Sequence, residues 1–369
     1  MDKKVLLITM GGTIAGNVAA TNKEGEFIKG QNEFAVILDD TCKSIKSRYD
    51  INVIIDHFPL CDIDSSDMMP AQWITLADKI KEEYDNFDAF LVTHGTNTMG
   101  YTAAALSFSL ENLGKPVIIT GSQVPAGMPG SDAIMNLENS LRVATIQRKK
   151  GVQLIGVVAV FGSHIITGTR VKKSTEFDYD AFKSFGSSSI GRIGRIIDID
   201  DNSLKKHNGY MQTNSYQPAE NAEELRCKNE FDMRIVSLTE FPGMDEKIFK
   251  TLVEQNKIKG FILRAFGAGD ATTRLLPTLR YLKDKEIPIV ITTQAPNGNS
   301  NFQVNDPGMQ IDKEKLGIPA YDMSIEAQTT KLAWLLAQKE KGEITYTQLC
   351  DEMRKDIRGE VNRVWEVKM

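Results

Sequence analysis

Two glycine-flanked turns each present a threonine directly after an apolar, β-branched run. Val5 to Met10 leads into Gly11-Gly12-Thr13-Ile14-Ala15-Gly16, and Ala89 to Val92 leads into Thr93-His94-Gly95-Thr96-Asn97. A hydroxyl at the carboxyl end of a buried strand, beside residues that lack a Cβ, stands where a ligand meets backbone N–H groups. Thr13 and Thr96 therefore read as a catalytic pair. Residues just past the other strand-like runs extend the set to Asp64-Ser65-Ser66-Asp67, Lys173 and Gly267-Ala268-Gly269-Asp270. These are hydroxyls, an amine and carboxylates. The first turn does not satisfy GxGxxG, and no GxxxxGK[ST] occurs, so neither a dinucleotide nor a nucleotide phosphate is called for and no cofactor is expected.

The elements that must position these residues alternate along the chain. Val5 to Met10, Ile51 to Ile55, Ala89 to Thr93, Pro116 to Thr120 and Leu154 to Phe161 are continuous Val/Ile/Leu-rich runs separated by helix-length segments. Strands buried on both faces read this way, and the pattern predicts an α/β fold with a doubly wound, mostly parallel sheet. Ser66-Asp67 is expected to cap a helix through Trp73, Leu76, Ile80 and Tyr84, and another helix is expected after Thr98 to Leu110. The polar stretch 201–230 breaks the alternation. A second set follows, with strands Arg234 to Thr239, Gly260 to Ala265 and Pro288 to Thr293, an amphipathic helix from Ile325 to Leu336, and a terminal helix or strand after Tyr346. At 369 residues the chain exceeds the size at which one core stops growing. The expected division is a catalytic domain 1–200, a connection 201–230 and a smaller α/β domain 231–369.

Composition bounds the partners. A formal net charge of -5 gives no electrostatic footprint for nucleic acid or an anionic membrane surface. No window approaches the roughly 18 apolar residues of a membrane span. The start, Met-Asp-Lys-Lys before Val5 to Met10, imitates a signal peptide, but its apolar run is short and ends in Gly-Gly-Thr. Cys42, Cys61, Cys227 and Cys350 are widely spaced without CxxC, and His57, His94, His164 and His207 are scattered. Free thiols, no metal and a cytoplasmic location are the expectations.

At the positions named above the chain resembles the L-asparaginase/glutaminase family of threonine-nucleophile amidohydrolases, and most closely its cytoplasmic type I branch. The resemblance runs from Lys4 to about Gln338. It is carried, in order, by Gly11-Gly12-Thr13-Ile14-Ala15, Asp64-Ser65-Ser66-Asp67-Met68, His94-Gly95-Thr96, Gly121-Ser122-Gln123, Asp180-Ala181-Phe182, Leu263-Arg264 with Gly267-Ala268-Gly269, and Thr330-Lys331-Leu332. It implies two α/β domains, hydrolysis of L-asparagine through an acyl-enzyme, and a homodimer or homotetramer in which the neighbouring subunit's second domain completes each site. Residue by residue it implies Thr13 as nucleophile and Thr96 with Lys173 as proton relay. Asp64, Ser65, Ser66, Gly95, Asn97 and Asp270 become substrate contacts, with Ser65 on the α-carboxylate. Taken alone, Lys173 within Arg170-Val171-Lys172-Lys173 reads as a solvated surface charge, with Lys172 one residue away, and Ser65-Ser66 reads as a helix cap. His94 is given no catalytic role. Residues 17–31 match the segment that serves the family as a lid.

The sequence departs from the family pattern at three places. Phe27 stands where the lid tyrosine is usual, Asn97 where an Asp follows the second threonine, and Asp270 where an Asn follows Gly-x-Gly. The last pair reads as a swap that keeps one negative charge in the amino-group pocket. The alternatives are a family amidase acting on a different or N-blocked amide, and a non-catalytic binding relative. A glutaminase subunit of a tRNA-dependent amidotransferase is less favoured, because the chain starts directly on its first strand.

Overall fold

The computed structural model describes residues 2–12, 32–126, 128–145, 153–211 and 224–362. The chain divides into two compact units at Asn229–Glu230. In the first, the strands are β1 (Asp2–Thr9), β2 (Asn52–Pro59), β3 (Ala89–Thr93), β4 (Leu110–Glu111), β5 (Pro116–Thr120), β6 (Gly156–Phe161), β7 (His164–Thr167), β8 (Val171–Lys173), β9 (Phe182–Ser184), β10 (Gly191–Ile193), β11 (Ile197–Ile199) and β12 (Arg226–Cys227). Its helices are α1 (Asn32–Tyr49), α2 (Pro70–Glu82), α3 (Met99–Ser109), α4 (Ala133–Thr145) and α5 (Asp201–Met211). Of the stretch expected as a connection, Asp201–Met211 is thus helical, and β12 pairs with β4 of the first unit.

The main sheet has the order β11-β10-β7-β6-β5-β3-β1-β2. Strands β2, β1, β3, β5 and β6 run parallel, and β7, β10 and β11 extend the sheet antiparallel. The parallel strands are buried on both faces. Val5, Leu7, Leu91, Ile118 and Val158 face Ile45 of α1 with Leu137 and Leu141 of α4, whereas Leu6, Ile8, Phe90, Val92 and Ile119 face Leu76 and Ile80 of α2 with Ala103 and Leu106 of α3. That two-sided burial is why these strands read as unbroken apolar runs. Successive strands leave β1 in opposite directions, β2 to one side and β3 to the other, so a crevice opens between the carboxyl ends of β1 and β3.

The expected cap of α2 is displaced. Asp64, not Ser66 or Asp67, caps a single 3₁₀ turn over Ser65–Asp67, and α2 begins only at Pro70 with Met69 as its N-cap. The reason is Pro70. It is preset for the first helical position and pushes the residue before it into extended backbone, where Met69 lies at φ -120 and ψ 161.

The second unit is a parallel sheet in the order β13-β14-β15-β16: Ile235–Thr239, Gly260–Ala265, Ile289–Thr293 and Ile318–Pro319. Helices α6 (Lys247–Asn256), α7 (Leu276–Asp284), α8 (Asp306–Lys313), α9 (Ile325–Glu340) and α10 (Tyr346–Arg354) accompany it. The sequence pattern of α9 is that of an amphipathic helix, yet nearly every position from Glu326 to Ala337 is buried. Lys331 on this helix is fully buried. Its ammonium donates to the Met353 and Lys355 carbonyls at 3.2 and 2.5 Å and to Glu360 Oε1 at 2.5 Å. Burial pushes the Glu360 carboxyl upward, but the Lys331 charge and the backbone N–H groups of Ile357 and Arg358 prevail and hold it below its usual range. The pair fastens the segment after α10 to α9.

Removing one partner of such a pair strands the other charge in the interior. Lys331→Met is expected to lower the stability of the second unit by about 3–5 kcal/mol, and Lys331→Met with Glu360→Gln to regain a large part of it. Urea unfolding of the full chain checks this; a single variant as stable as the parent would contradict it. In the first unit, desolvation pulls the buried rings of His94 and His207 down to about 4, against hydrogen bonds to the Gly95 and Ile155 carbonyls that raise them. The unfolded rings titrate near about 6.5 and take up protons first, so stability present above that pH is lost as pH falls toward 4. The expected loss between pH 7 and 5 is on the order of 2 kcal/mol per ring, read from denaturant midpoints across that window.

Candidate active site

The crevice between β1 and β3 is lined by three turns packed backbone to backbone. Thr9 and Thr93 are partners in the β1–β3 register, and the chain leaves them through Gly11-Gly12 and through His94-Gly95-Thr96. A Cβ on Gly12, which lies at φ +79, would sit 2.6 Å from both Cα and N of Gly95. A Cβ on Gly95 would sit 2.6 Å from Oγ of Ser65, in the turn that follows β2. Only glycine permits this approach. Thr13 follows Gly12 directly, but Thr13, Phe27 and the 17–31 segment lie outside the described residues.

The turn after β2 is locked to the turn after β3. Ser65 is buried at 3 % exposure; its Oγ accepts from the Asn97 backbone N–H at 3.2 Å, and its carbonyl accepts from the Thr98 hydroxyl at 2.6 Å. Exposed Ser66 accepts from the Asn97 side-chain amide at 3.0 Å. Asp64 Oδ1 accepts from Ser66 N–H at 2.7 Å, and hydrogen bonds from the Ser66 backbone and hydroxyl hold its carboxyl below the usual range.

Lys173 enters from another direction, at the end of β8 in the β8–β9 hairpin. Its Nζ donates to Thr96 Oγ1 at 3.0 Å and to Asn97 Oδ1 at 3.3 Å, and it lies 2.9 Å from a Glu176 carboxylate oxygen. Neighbours on a strand project to opposite faces, which separates Lys173 from Lys172. One face of the turn thus gathers a hydroxyl, an amine, an amide and a carboxylate.

A buried chain of donors stands behind Thr96. The Gly95 carbonyl lies 2.7 Å from His94 Nδ1, and a carbonyl only accepts, so the ring proton is on Nδ1. Nε2 of the neutral ring then accepts from Thr102 Oγ1 at 2.8 Å, and that hydroxyl accepts from Trp73 Nε1 at 3.0 Å. His94 is fully buried, and its two ring contacts tie the turn to α3. Sequence reasoning misses Thr98, Thr102, Trp73 and Glu176. Nothing in their spacing marks them, although Thr98 and Thr102 recur at helical spacing just beyond the turn.

In the second unit, Asp270 closes a turn after β14. Its N–H donates to the Phe266 carbonyl at 2.8 Å, and its Oδ2 accepts from Asn305 Nδ2 at 2.5 Å. Its Oδ1 is buried and accepts no hydrogen bond from the described residues. Among the described residues, no group of three or more His, Cys, Asp or Glu could hold a metal, and no helix is long and apolar enough to cross a membrane.

Comparison with known proteins agrees with this architecture. Residues 4–205 match the family model "Asparaginase, N-terminal" and residues 234–346 match "Glutaminase/Asparaginase C-terminal domain". L-asparaginase 1 of Escherichia coli is 33 % identical over 311 residues, 84 % of this chain and 84 % of that protein. A glutamyl-tRNA(Gln) amidotransferase subunit of Methanococcus maripaludis is 30 % identical over 363 residues, 98 % of this chain and 81 % of that protein. The crystal structure of L-asparaginase I from Vibrio cholerae superposes with a TM-score of 0.76 at 30 % identity, over 98 % of this chain and 100 % of that one. With both domain models matched in order along the sequence, the chain belongs to the asparaginase family.

Proposed function

We propose that the chain hydrolyses L-asparagine to L-aspartate and ammonia through an acyl-enzyme on Thr13. The observation that carries this reading is the 3.0 Å contact of Lys173 Nζ with Thr96 Oγ1 beside the crevice at Gly12, the residue directly before Thr13 in sequence. A neutral threonine hydroxyl is a weak nucleophile and needs a proton acceptor close by. As Thr13 Oγ forms its bond to the side-chain carbonyl, its proton passes to the Thr96–Lys173 pair. The same pair returns a proton to the departing nitrogen, which leaves as ammonia, and water then cleaves the ester to give the acid.

The Ser65-Ser66 turn and the Gly95 backbone lie beside this pair and supply polar groups for the substrate's carboxylate and amide. Asp270 of a neighbouring subunit in a homodimer or homotetramer provides the carboxylate for the α-ammonium, and the protein works in the cytoplasm. A second reading is favoured by Asn97 and Asp270: an amide other than free asparagine. The likeness to an amidotransferase subunit belongs with this reading. Retention of Thr13, Thr96 and Lys173 speaks against a non-catalytic binding role.

Thr13→Ala is expected to abolish ammonia release with the fold intact, and Thr96→Val to lower kcat by roughly 10²- to 10⁴-fold, the usual range for lost acid–base help. Near-parental turnover in either variant would remove that residue from the mechanism. For the amino-group pocket, Asp270→Asn leaves an ammonium unpaired, at a cost on the order of 2–5 kcal/mol, so kcat/KM for asparagine should fall by tens-fold or more. Asn97→Asp in that background should recover much of the loss. Additive effects, or faster turnover of N-blocked than of free asparagine, would favour the second reading.

A further inference from the structure

Among the described residues, the Lys173 amine is held by three groups, and one of them carries charge. Thr96 and Asn97 are neutral; the carboxylate that meets Lys173, at 2.9 Å, belongs to Glu176. The lysine side chain is 16 % exposed, so little water is available to take the place of that carboxylate.

Glu176 does not arrive there on a loose loop. It lies in the connection between β8 and β9, whose ends are tied by the Ser174 N–H and hydroxyl, both donating to the Ala181 carbonyl at 2.7 and 3.1 Å. The Gln123 side-chain amide donates to the Glu176 carbonyl at 2.6 Å and to the Asp178 carbonyl at 3.3 Å. Gln123 is itself anchored, its backbone N–H lying 2.9 and 3.0 Å from the two Asp132 oxygens, and Asp132 also accepts from Asn136 at 3.0 Å. Gln123 thereby fixes the backbone from which Glu176 reaches Lys173.

We propose that Glu176 is a positioning residue of the active site, whose carboxylate holds the Lys173 amine against Thr96 and supplies the negative charge that Asn97 lacks. The inference rests on the amidohydrolase reading of Thr96 and Lys173. Its size is bounded by geometry. The Glu176 side chain is 64 % exposed, and water screens its half of the pair.

Steady-state ammonia release from asparagine and glutamine tests this with Glu176→Gln, Asn97→Asp and the double variant. Glu176→Gln is expected to lower kcat by about threefold to fivefold, the upper part of the range for a screened charge pair, with KM within about twofold. A residue that only supported the loop would lose the same factor in any background. Here Asn97→Asp places a carboxylate at the other contact of Lys173, so in that background Glu176→Gln should cost less than about twofold, a coupling outside the additivity of independent sites. A loss below about threefold in the parent, or an equal loss in both backgrounds, overturns the proposal. If the parent protein releases ammonia from neither amide, the functional reading fails on its own. Crystal structures then decide about Glu176: departure of Lys173 from Thr96 in Glu176→Gln upholds the positioning role, and an unmoved 3.0 Å contact overturns it.

Discussion

The contact between the backbones of Gly12 and Gly95 sets the terms for everything around the crevice. Two parallel strands that are neighbours in the sheet end level with each other, and their following turns meet at a distance no side chain could occupy. This happens where the strand order changes direction, the position at which open α/β sheets receive ligands. Ser65 enters the same contact from a third strand, and its hydroxyl and carbonyl are both engaged by the Asn97–Thr98 backbone and side chain. The threonine turn is therefore braced on each side before any ligand is present.

The polar groups around the crevice and in the second unit differ in the partners they meet. The line from Trp73 through Thr102 and His94 to the Gly95 carbonyl uses each donor once and leaves a neutral ring whose tautomer is determined. Lys331 spends its donors on two carbonyls and a buried carboxylate, which makes it a fastening for the end of the chain. Lys173 differs in its company, meeting a reactive-type hydroxyl, a neutral amide and a carboxylate that is largely in water. Among the described residues both amines have three partners, but Lys331 and its carboxylate are fully buried, whereas water screens the Glu176 half of the Lys173 pair.

Much of the layout is legible in the chain. Continuous Val/Ile/Leu runs identify strands buried on both faces, and β1, β3 and β5 lie where those runs lie. Glycines beside threonines mark the turns, because close backbone approach excludes other residue types. The antiparallel strands β7, β10 and β11 are not legible, being at most four residues long and too short for a periodic signal. Helix α2 does not start where its serine–aspartate cap signal places it, because the constraint that Pro70 imposes on Met69 is the stronger of the two.

By itself the sequence determined the class of fold and the two turns, which follow from local composition and spacing, and its ordered motifs carried the resemblance to the family that singles out the candidate residues. Only the tertiary structure decided which of them meet. Lys173, which apart from the resemblance reads as an ordinary surface charge, meets Thr96, 77 residues away in sequence, only through the β8–β9 hairpin. Glu176 has no signature in the sequence, and its link to Gln123, 53 residues away, exists only through a side-chain amide in the folded chain. Lys331 reads as the polar side of an amphipathic helix until Glu360 is buried against it. Local pattern records what a residue prefers near its neighbours, whereas desolvation and charge pairing depend on groups that only the folded chain brings within a few ångströms.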